Sequence, residues 1–294
     1  WFSEGLAVTA VSCERVVTWV LHQLNGKREM LDPWQRRCPE LVPHLTSKPF
    51  WYTGREDGEE WAWVRAFEEN FEAIRAECLA LRKPVEGSTA GFQQYRAPSW
   101  SSSDTPAADG TVGTLGHDRG DWNVYYLNLH NVDYSDNQAR CPKTMEALSH
   151  LPHYYHHCFF SALAPNTHIP AHTGPTNKKL RLHLPLVVPP GEKARLRVGA
   201  QTEVFREGKC LLFDDSFEHE AWNDAETPRI VLIADMWAPD LSPAEIKFLT
   251  FLQNGRMRLA KRLGAESGVA AAQNFYGILE KARAEGVDLS KVFG

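Results

Sequence analysis

Between residues 157 and 237 the chain runs in short apolar bursts that turns keep cutting off. HCFFSALA, KLRLHLPLVV, ARLRVG, KCLLF, HEAW and RIVLIADMW are separated by Pro-Asn, Thr-Gly-Pro, Pro-Pro-Gly, Glu-Gly and Asn-Asp. Segments this short, rich in β-branched and aromatic residues and bounded by turn formers, cannot be helices that bury a face. They predict an all-β sandwich or barrel, and a double-stranded β-helix (jelly roll) fits the rhythm.

Helical patterning flanks this core. Residues 6–24 carry apolar residues at helical spacing, followed by a loop that ends at Pro43. Trp61, Val64, Phe67, Phe71 and Ile74 recur at three- and four-residue steps and predict one helix over 59–82, stopped by Pro84. A loop rich in Ser, Gly, Asp and Thr is expected over 97–121, a strand over 122–130, and a short helix over 141–152 begun by Pro142. After Ser242 the chain turns helical again. Ser242 and Glu245 form the Ser-x-x-Glu signature that starts a helix, and a second helix is expected near 268–284. The expected division is a helical region over 1–95, a jelly-roll core over 96–240 and a C-terminal helical extension over 241–294. That extension is expected either to pack against the N-terminal helices or to serve as a dimer contact or substrate platform.

Composition narrows the function. Of 294 residues 43% are hydrophobic, enough for a sizeable core. A net charge of −5 offers no basic field for nucleic acid or an anionic membrane, and no apolar run reaches the length of a membrane-spanning helix. Cys13, Cys38, Cys78, Cys141, Cys158 and Cys210 lie far apart without a Cys-x-x-Cys pair, so neither a structural zinc site nor a dense disulfide framework is expected, although one or two disulfides stay open. The compartment stays open as well, the endoplasmic reticulum lumen or the cytoplasm.

Within the β segment polar residues interrupt the apolar pattern at chosen places. His172 lies in PAHTGPTN and His219 lies 47 residues later in FDDSFEHEAW. Arg181 and His183 are two apart, so on one strand they share a face, while Leu180, Leu182 and Leu184 take the other. Lys179 extends the polar face, which must line something wet or charged. Arg229 sits on the next apolar run, where a buried guanidinium needs a partner. Neutral imidazoles suit Fe(II), and arginines suit an anionic cosubstrate. Asp214 and Asp215 are candidates for holding a metal-bound water or capping the turn at Ser216. His153, His156 and His157 fit no zinc spacing and read as structural or surface residues, and His168 as a pocket-wall or packing residue.

HTGPTN, RLHL, FDDSFEHE and TPRIVLIADMW, in this order and spacing, resemble the aspartyl/asparaginyl β-hydroxylases from about Lys48 to Pro243. The resemblance implies a jelly-roll oxygenase that uses Fe(II) and 2-oxoglutarate with O2 and releases succinate and CO2. It implies that His172 and His219 hold the metal, that Arg229 and Ser161 hold the distal carboxylate of 2-oxoglutarate, and that His183 contacts the cosubstrate. Arg181 would contact the substrate, help bind the cosubstrate and take part in catalysis. Most such oxygenases carry a carboxylate two residues after the first histidine; Gly174 stands there, as it does in this family. The implied reaction is β-hydroxylation of an Asp or Asn side chain in a protein or peptide. The family's substrates include epidermal growth factor-like domains, and its enzymes carry an upstream helical-repeat region that this chain lacks. A small carboxylate substrate, halogenation at a vacant carboxylate position, and a non-catalytic jelly-roll binding module are the alternatives.

Overall fold

The computed structural model describes residues 13–25, 32–81, 92–95, 117–129, 132–262 and 284–286. The start of the first expected helix, most of the 97–121 loop and nearly all of the second C-terminal helix lie outside these residues.

Eight strands form the core: β5 (Tyr154–Leu163), β6 (Thr167–His172), β7 (Lys179–Val187), β8 (Ala194–Val198), β9 (Gln201–Val204), β10 (Leu211–Phe213), β11 (His219–Asn223) and β12 (Arg229–Trp237). They pair antiparallel from the outside in: β5 with β12, β6 with β11, β7 with β10 and β8 with β9. First meets last and second meets second-to-last, as in one long hairpin wound over itself. This winding is the jelly roll, and it divides the strands between two facing sheets. The larger sheet gains β1 (Phe50–Tyr52) at one edge, and β2 (Gln93–Gln94), β3 (Trp122–Leu129) and β4 (Val132–Asp133) at the other; its order is β1-β10-β7-β12-β5-β3-β2, with β4 on β3. The smaller sheet runs β6-β11-β8-β9.

Strand alternation assigns each face of the large sheet its own core. On β7 and β12 the residues Leu180, Leu182, Leu184, Ile230, Leu232 and Ala234 point outward. They pack under the helices α2 (Ala62–Glu69), α3 (Phe71–Leu81) and α5 (Pro142–Ser149), through Val64, Phe67, Ile74 and Leu148. The other face meets the small sheet through Phe159, Leu163, Val231, Ile233, Phe213, Leu196 and Val198. Every residue of β12 is buried, as a strand covered on both faces must be. At about 1.5–3 kcal/mol for each large apolar side chain removed from water, these two cores fix the strand register. A slip by one residue would put Arg229 and Asp235 under the helices.

The expected single helix over 59–82 is two helices. Asn70 ends α2 and its Nδ2 donates to the Ala66 carbonyl (2.9 Å), a local bond that competes with the helical ladder. The C-terminal helix α6 (Pro243–Arg262) opens as expected, with Ser242 N–H donating to Glu245 (2.8 Å) and Glu245 N–H donating to Ser242 Oγ (3.2 Å). It packs on α1 (Glu14–Leu24), where Val16 and Trp19 meet Leu249 and Leu252, and Arg15 clasps Glu245 at 2.7 Å. All six cysteines are buried and unbridged. No described helix is long and apolar enough to cross a membrane.

Candidate active site

His172 ends β6 and His219 begins β11, and the antiparallel register places them opposite each other with ring centroids 4.1 Å apart. Each ring is oriented in the same way. Nδ1 of His172 bonds the Pro170 carbonyl (2.8 Å), and Nδ1 of His219 bonds the Phe217 carbonyl (2.9 Å). A carbonyl can only accept, so each Nδ1 carries the proton and each Nε2 keeps its lone pair. Burial pushes both imidazoles below their ordinary pKa, His219 further because His172 adjoins it. The result is two neutral nitrogen donors side by side.

Gly174 explains itself on inspection of its neighbours. A Cβ added there would lie 2.6 Å from the carboxylate of Asp215, and the Gly174 N–H donates to the Asp215 carbonyl at 2.6 Å. The space that a side chain at 174 would fill is therefore occupied by a carboxylate from the loop before β11. It is not vacant, and an anion entering it would meet a negative charge. Oδ2 of Asp215 pairs with Lys179 (2.7 Å), whereas Oδ1 is buried with no hydrogen-bond partner. Among the described residues no group of three or more His, Cys, Asp or Glu is gathered to hold a metal. Two imidazole lone pairs beside an unfilled carboxylate oxygen nonetheless suit Fe(II), with coordination positions left open. The neighbouring Asp214 has a different task. It accepts from Ser216 N–H (2.9 Å) and Ser216 Oγ (2.6 Å), and burial raises its pKa to about 7.

Deeper between the sheets, Arg229 is 2% exposed, and its Nε and Nη1 have no hydrogen-bond partner. Burial alone pulls the guanidinium down to about 9, and it lies over the face of Phe205, 5.0 Å away. Ser161 lies diagonally across from it, since Val231 pairs with Ser161 and Arg229 with Leu163. Ser161 Oγ accepts from Trp122 Nε1 (2.9 Å), which leaves its own proton to donate. His183 also has both ring nitrogens unpartnered. Burial, then Arg229 and Arg181, push its pKa well down. It stacks on Phe205 and meets Phe213 edge-on, and Phe213 meets His219 edge-on in turn. Ser161, His183 and Arg229 thus belong to one buried region that adjoins the histidine pair.

Arg181 and Lys179 are built into a closed network. The Arg181 guanidinium grips Asp235 through two parallel bonds (2.8 and 2.9 Å) and reaches Asp215 at 3.2 Å. Lys179, 1% exposed, bridges Asp215 and Asp235 at 2.7 and 3.1 Å. His157 adds a 2.8 Å bond to Asp235. Although burial opposes it, Arg181 and Lys179 hold the Asp235 carboxyl well below the usual range. Lys179 extends the polar face as expected, and what it meets there is a pair of carboxylates; the Arg181 fork expected to meet substrate is occupied by Asp235. Asp235 was missed in the sequence, yet it had a signal: an acid within VLIADMW, on the same strand face as Arg229, must find cations inside.

His168 lies elsewhere. Its parity on β6 turns it to the outer side of the small sheet, where Nδ1 meets Asp118 (2.9 Å), Nε2 meets Glu220 (2.8 Å) and the ring stacks on Trp222. It lines no pocket. His153 and His156 adopt positive φ values of 50° and 55° at the entry to β5, consistent with a structural role.

A family model described as aspartyl/asparaginyl beta-hydroxylase matches residues 68–239. The aspartyl/asparaginyl beta-hydroxylase of Homo sapiens is 32% identical over 254 residues, covering 85% of this chain and 30% of that protein. The ornithine lipid ester-linked acyl 2-hydroxylase of Rhizobium tropici is 36% identical, covering 64% of this chain and 62% of that protein. The aspartate beta-hydroxylase domain-containing protein 2 of Homo sapiens is 31% identical, covering 73% and 54% respectively. The chain therefore spans from under a third to just under two thirds of the length of these relatives. With the family model covering more than half of its residues, this chain belongs to the aspartyl/asparaginyl beta-hydroxylase family.

Proposed function

We propose that this chain is an Fe(II)- and 2-oxoglutarate-dependent hydroxylase. The observation that carries the reading is the buried guanidinium of Arg229, whose Nε and Nη1 have no hydrogen-bond partner among the described residues, in the region that adjoins two histidines whose Nε2 lone pairs are free. A cation buried without a partner costs several kcal/mol, which a bidentate carboxylate would offset. His172 and His219 hold the metal. Arg229 and the Ser161 hydroxyl hold the distal carboxylate of the cosubstrate, and His183, neutral and flat against Phe205, packs beside it. Oδ1 of Asp215 accepts a hydrogen bond from water at the metal and so fixes its orientation. Bound iron and 2-oxoglutarate supply O2 activation, so that a substrate C–H becomes C–OH while 2-oxoglutarate goes to succinate and CO2. The protein's own residues contribute position, a fixed histidine tautomer and exclusion of water.

For the substrate, the relatives named for aspartate or asparaginyl hydroxylation favour an Asp or Asn side chain of a protein or peptide. A second reading, an acyl group of a lipid, draws on the Rhizobium relative and on the neutralised Arg181 and Lys179. The test offers Asp- and Asn-containing peptides and an acyl lipid in turn, with Fe(II), 2-oxoglutarate and air. The expected result is succinate release with a product heavier by one oxygen atom, lost in His219→Ala while the fold is retained. Equal turnover in His219→Ala would overturn the assignment.

A further inference from the structure

The family model begins at residue 68, yet the segment from Trp34 to Pro49 touches both loops that carry the histidines. On the His219 side, Gln35 is fully buried and its Nε2 donates to Ser216 Oγ at 2.8 Å. The Glu218 N–H donates to the Trp34 carbonyl (2.7 Å), and the Asp214 N–H to the Pro49 carbonyl (3.0 Å). On the His172 side, the Glu40 N–H donates to the Pro175 carbonyl (3.2 Å), and Glu40 bridges Thr176 in parallel. Asn177 treats Val42 as a strand would: its Oδ1 accepts the Val42 N–H (2.8 Å) and its Nδ2 donates to the Val42 carbonyl (2.9 Å). Lys178 reaches Glu40 at 2.7 Å and lies over the face of Trp19.

We infer that Trp34–Pro49 is a strap that sets the separation of the two histidines, with Gln35 and Asn177 as its positioning residues. The inference rests on the two-histidine metal site proposed above. In a site with two protein ligands, the backbone must supply the rigidity that a third ligand would otherwise give. β6 and β11 hold the histidines only on one side of the register. Beyond it the Gly174 N–H bonds the Asp215 carbonyl (2.6 Å), and from there the loops part, one running on to Asn177 and the other back to Asp214. The strap ties down these far sides and spans both. Gln35 acts through Ser216, whose hydroxyl in turn donates to Asp214 (2.6 Å), so one side chain braces the whole turn before His219.

Removing an outer partner of a metal ligand weakens metal affinity about 10–100-fold. The experiment titrates Co(II), alone, into the full chain and four variants: Gln35→Met, Asn177→Ala, the double variant, and Glu77→Ala. Gln35→Met keeps the side-chain volume and loses one donor, so folding should survive even where Asn177→Ala proves insoluble. Glu77→Ala removes the carboxylate that accepts the Lys143 and Thr144 N–H groups at the start of α5 (2.7 and 2.8 Å) and lowers stability on the outer side of the large sheet, away from the strap. The expected result is about tenfold weaker Co(II) binding in Gln35→Met and in Asn177→Ala, with an altered cobalt ligand-field spectrum. In the double variant, braced on separate loops, the two losses should multiply to about 100-fold. Glu77→Ala should bind as the parent does, because lower stability leaves the affinity of the folded fraction unchanged. Parent-like affinity and spectrum in Gln35→Met would overturn the strap, as would equal weakening in Glu77→Ala. No Co(II) binding by the parent chain would instead overturn the metal site itself.

Discussion

Two groups of charge lie on the inward face of the large sheet, and they are built on opposite terms. Lys179, Arg181, Asp215 and Asp235 form a closed set, two cations against two carboxylates at 2.7–3.2 Å. Arg229, six residues from Asp235 on the same strand, has no anion partner among the described residues, and its Nε and Nη1 are unbonded. Both are buried, so both carry the desolvation cost of a charge between sheets. The closed set meets that cost internally and becomes scaffold, holding the loop of Asp215 against Gly174. Arg229 leaves it unmet, and the protein can recover it by binding an anion. The difference separates a charge kept for structure from a charge kept for a ligand.

The sharpest way to break this comparison is to unbalance the closed set. Asp235→Ala leaves Arg181 and Lys179 with one carboxylate between them and should lower the unfolding free energy by about 3–5 kcal/mol in urea titration. A loss below about 1 kcal/mol would mean that the network is not a scaffold. Arg229→Met should act in the opposite direction. Replacing an unpaired buried cation by an apolar side chain of similar volume should leave the apoprotein as stable or raise its stability by about 1–4 kcal/mol. A clear loss of apoprotein stability would show that Arg229 already has a structural partner. Gly174→Ala tests the join between the closed set and the metal ligands. With the new Cβ 2.6 Å from the Asp215 carboxylate, it should cost about 1–3 kcal/mol, and Asp215→Gly in the same chain should relieve the clash. Additive effects in that double variant would contradict the contact.

How much of this was legible in the sequence depends on the range of the interaction. The alternation of Lys179, Arg181 and His183 with Leu180, Leu182 and Leu184 is a property of one strand, and both faces emerged as expected. The cap at Ser242 is equally local. The strand carrying His172 is absent from the expected apolar runs, because Pro170 interrupts THIPAH; the structure accommodates it where the β6–β11 register shifts between His219 and Ala221. His168 packs on Trp222, one of the two roles expected of it, and its outward face follows from the same strand. The bonds from Gln35 to Ser216 and from Val42 to Asn177 span 181 and 135 residues and leave no periodic trace. The closing of Arg181 by Asp235 depends on strand order, which spacing alone does not encode.

A smaller effect concerns pH. His157, His172, His183 and His219 all have pKa values lowered by burial from the ordinary 6.5. As pH falls below 6.5 the unfolded chain takes up protons at these four sites that the folded chain refuses, so their contribution to apoprotein stability should decline with acidification and be level above 6.5, while Asp214, raised to about 7, contributes in the opposite sense. Comparing melting temperatures over this range in the parent and in His183→Leu should show a shallower acid decline in the variant. An identical decline would remove His183 from the buried set.

The measurement closest to the central claim is an anaerobic titration of the Fe(II)-loaded parent chain and Arg229→Met with 2-oxoglutarate, followed by visible absorbance. The parent should develop a metal-to-ligand charge-transfer band that saturates. Arg229→Met should bind the metal unchanged and need roughly 30-fold or more 2-oxoglutarate for the same band, the effect of about 2 kcal/mol from a lost charge-assisted pair. Equal 2-oxoglutarate affinity in the two proteins would contradict the claim that the unpaired guanidinium is the cosubstrate's anchor.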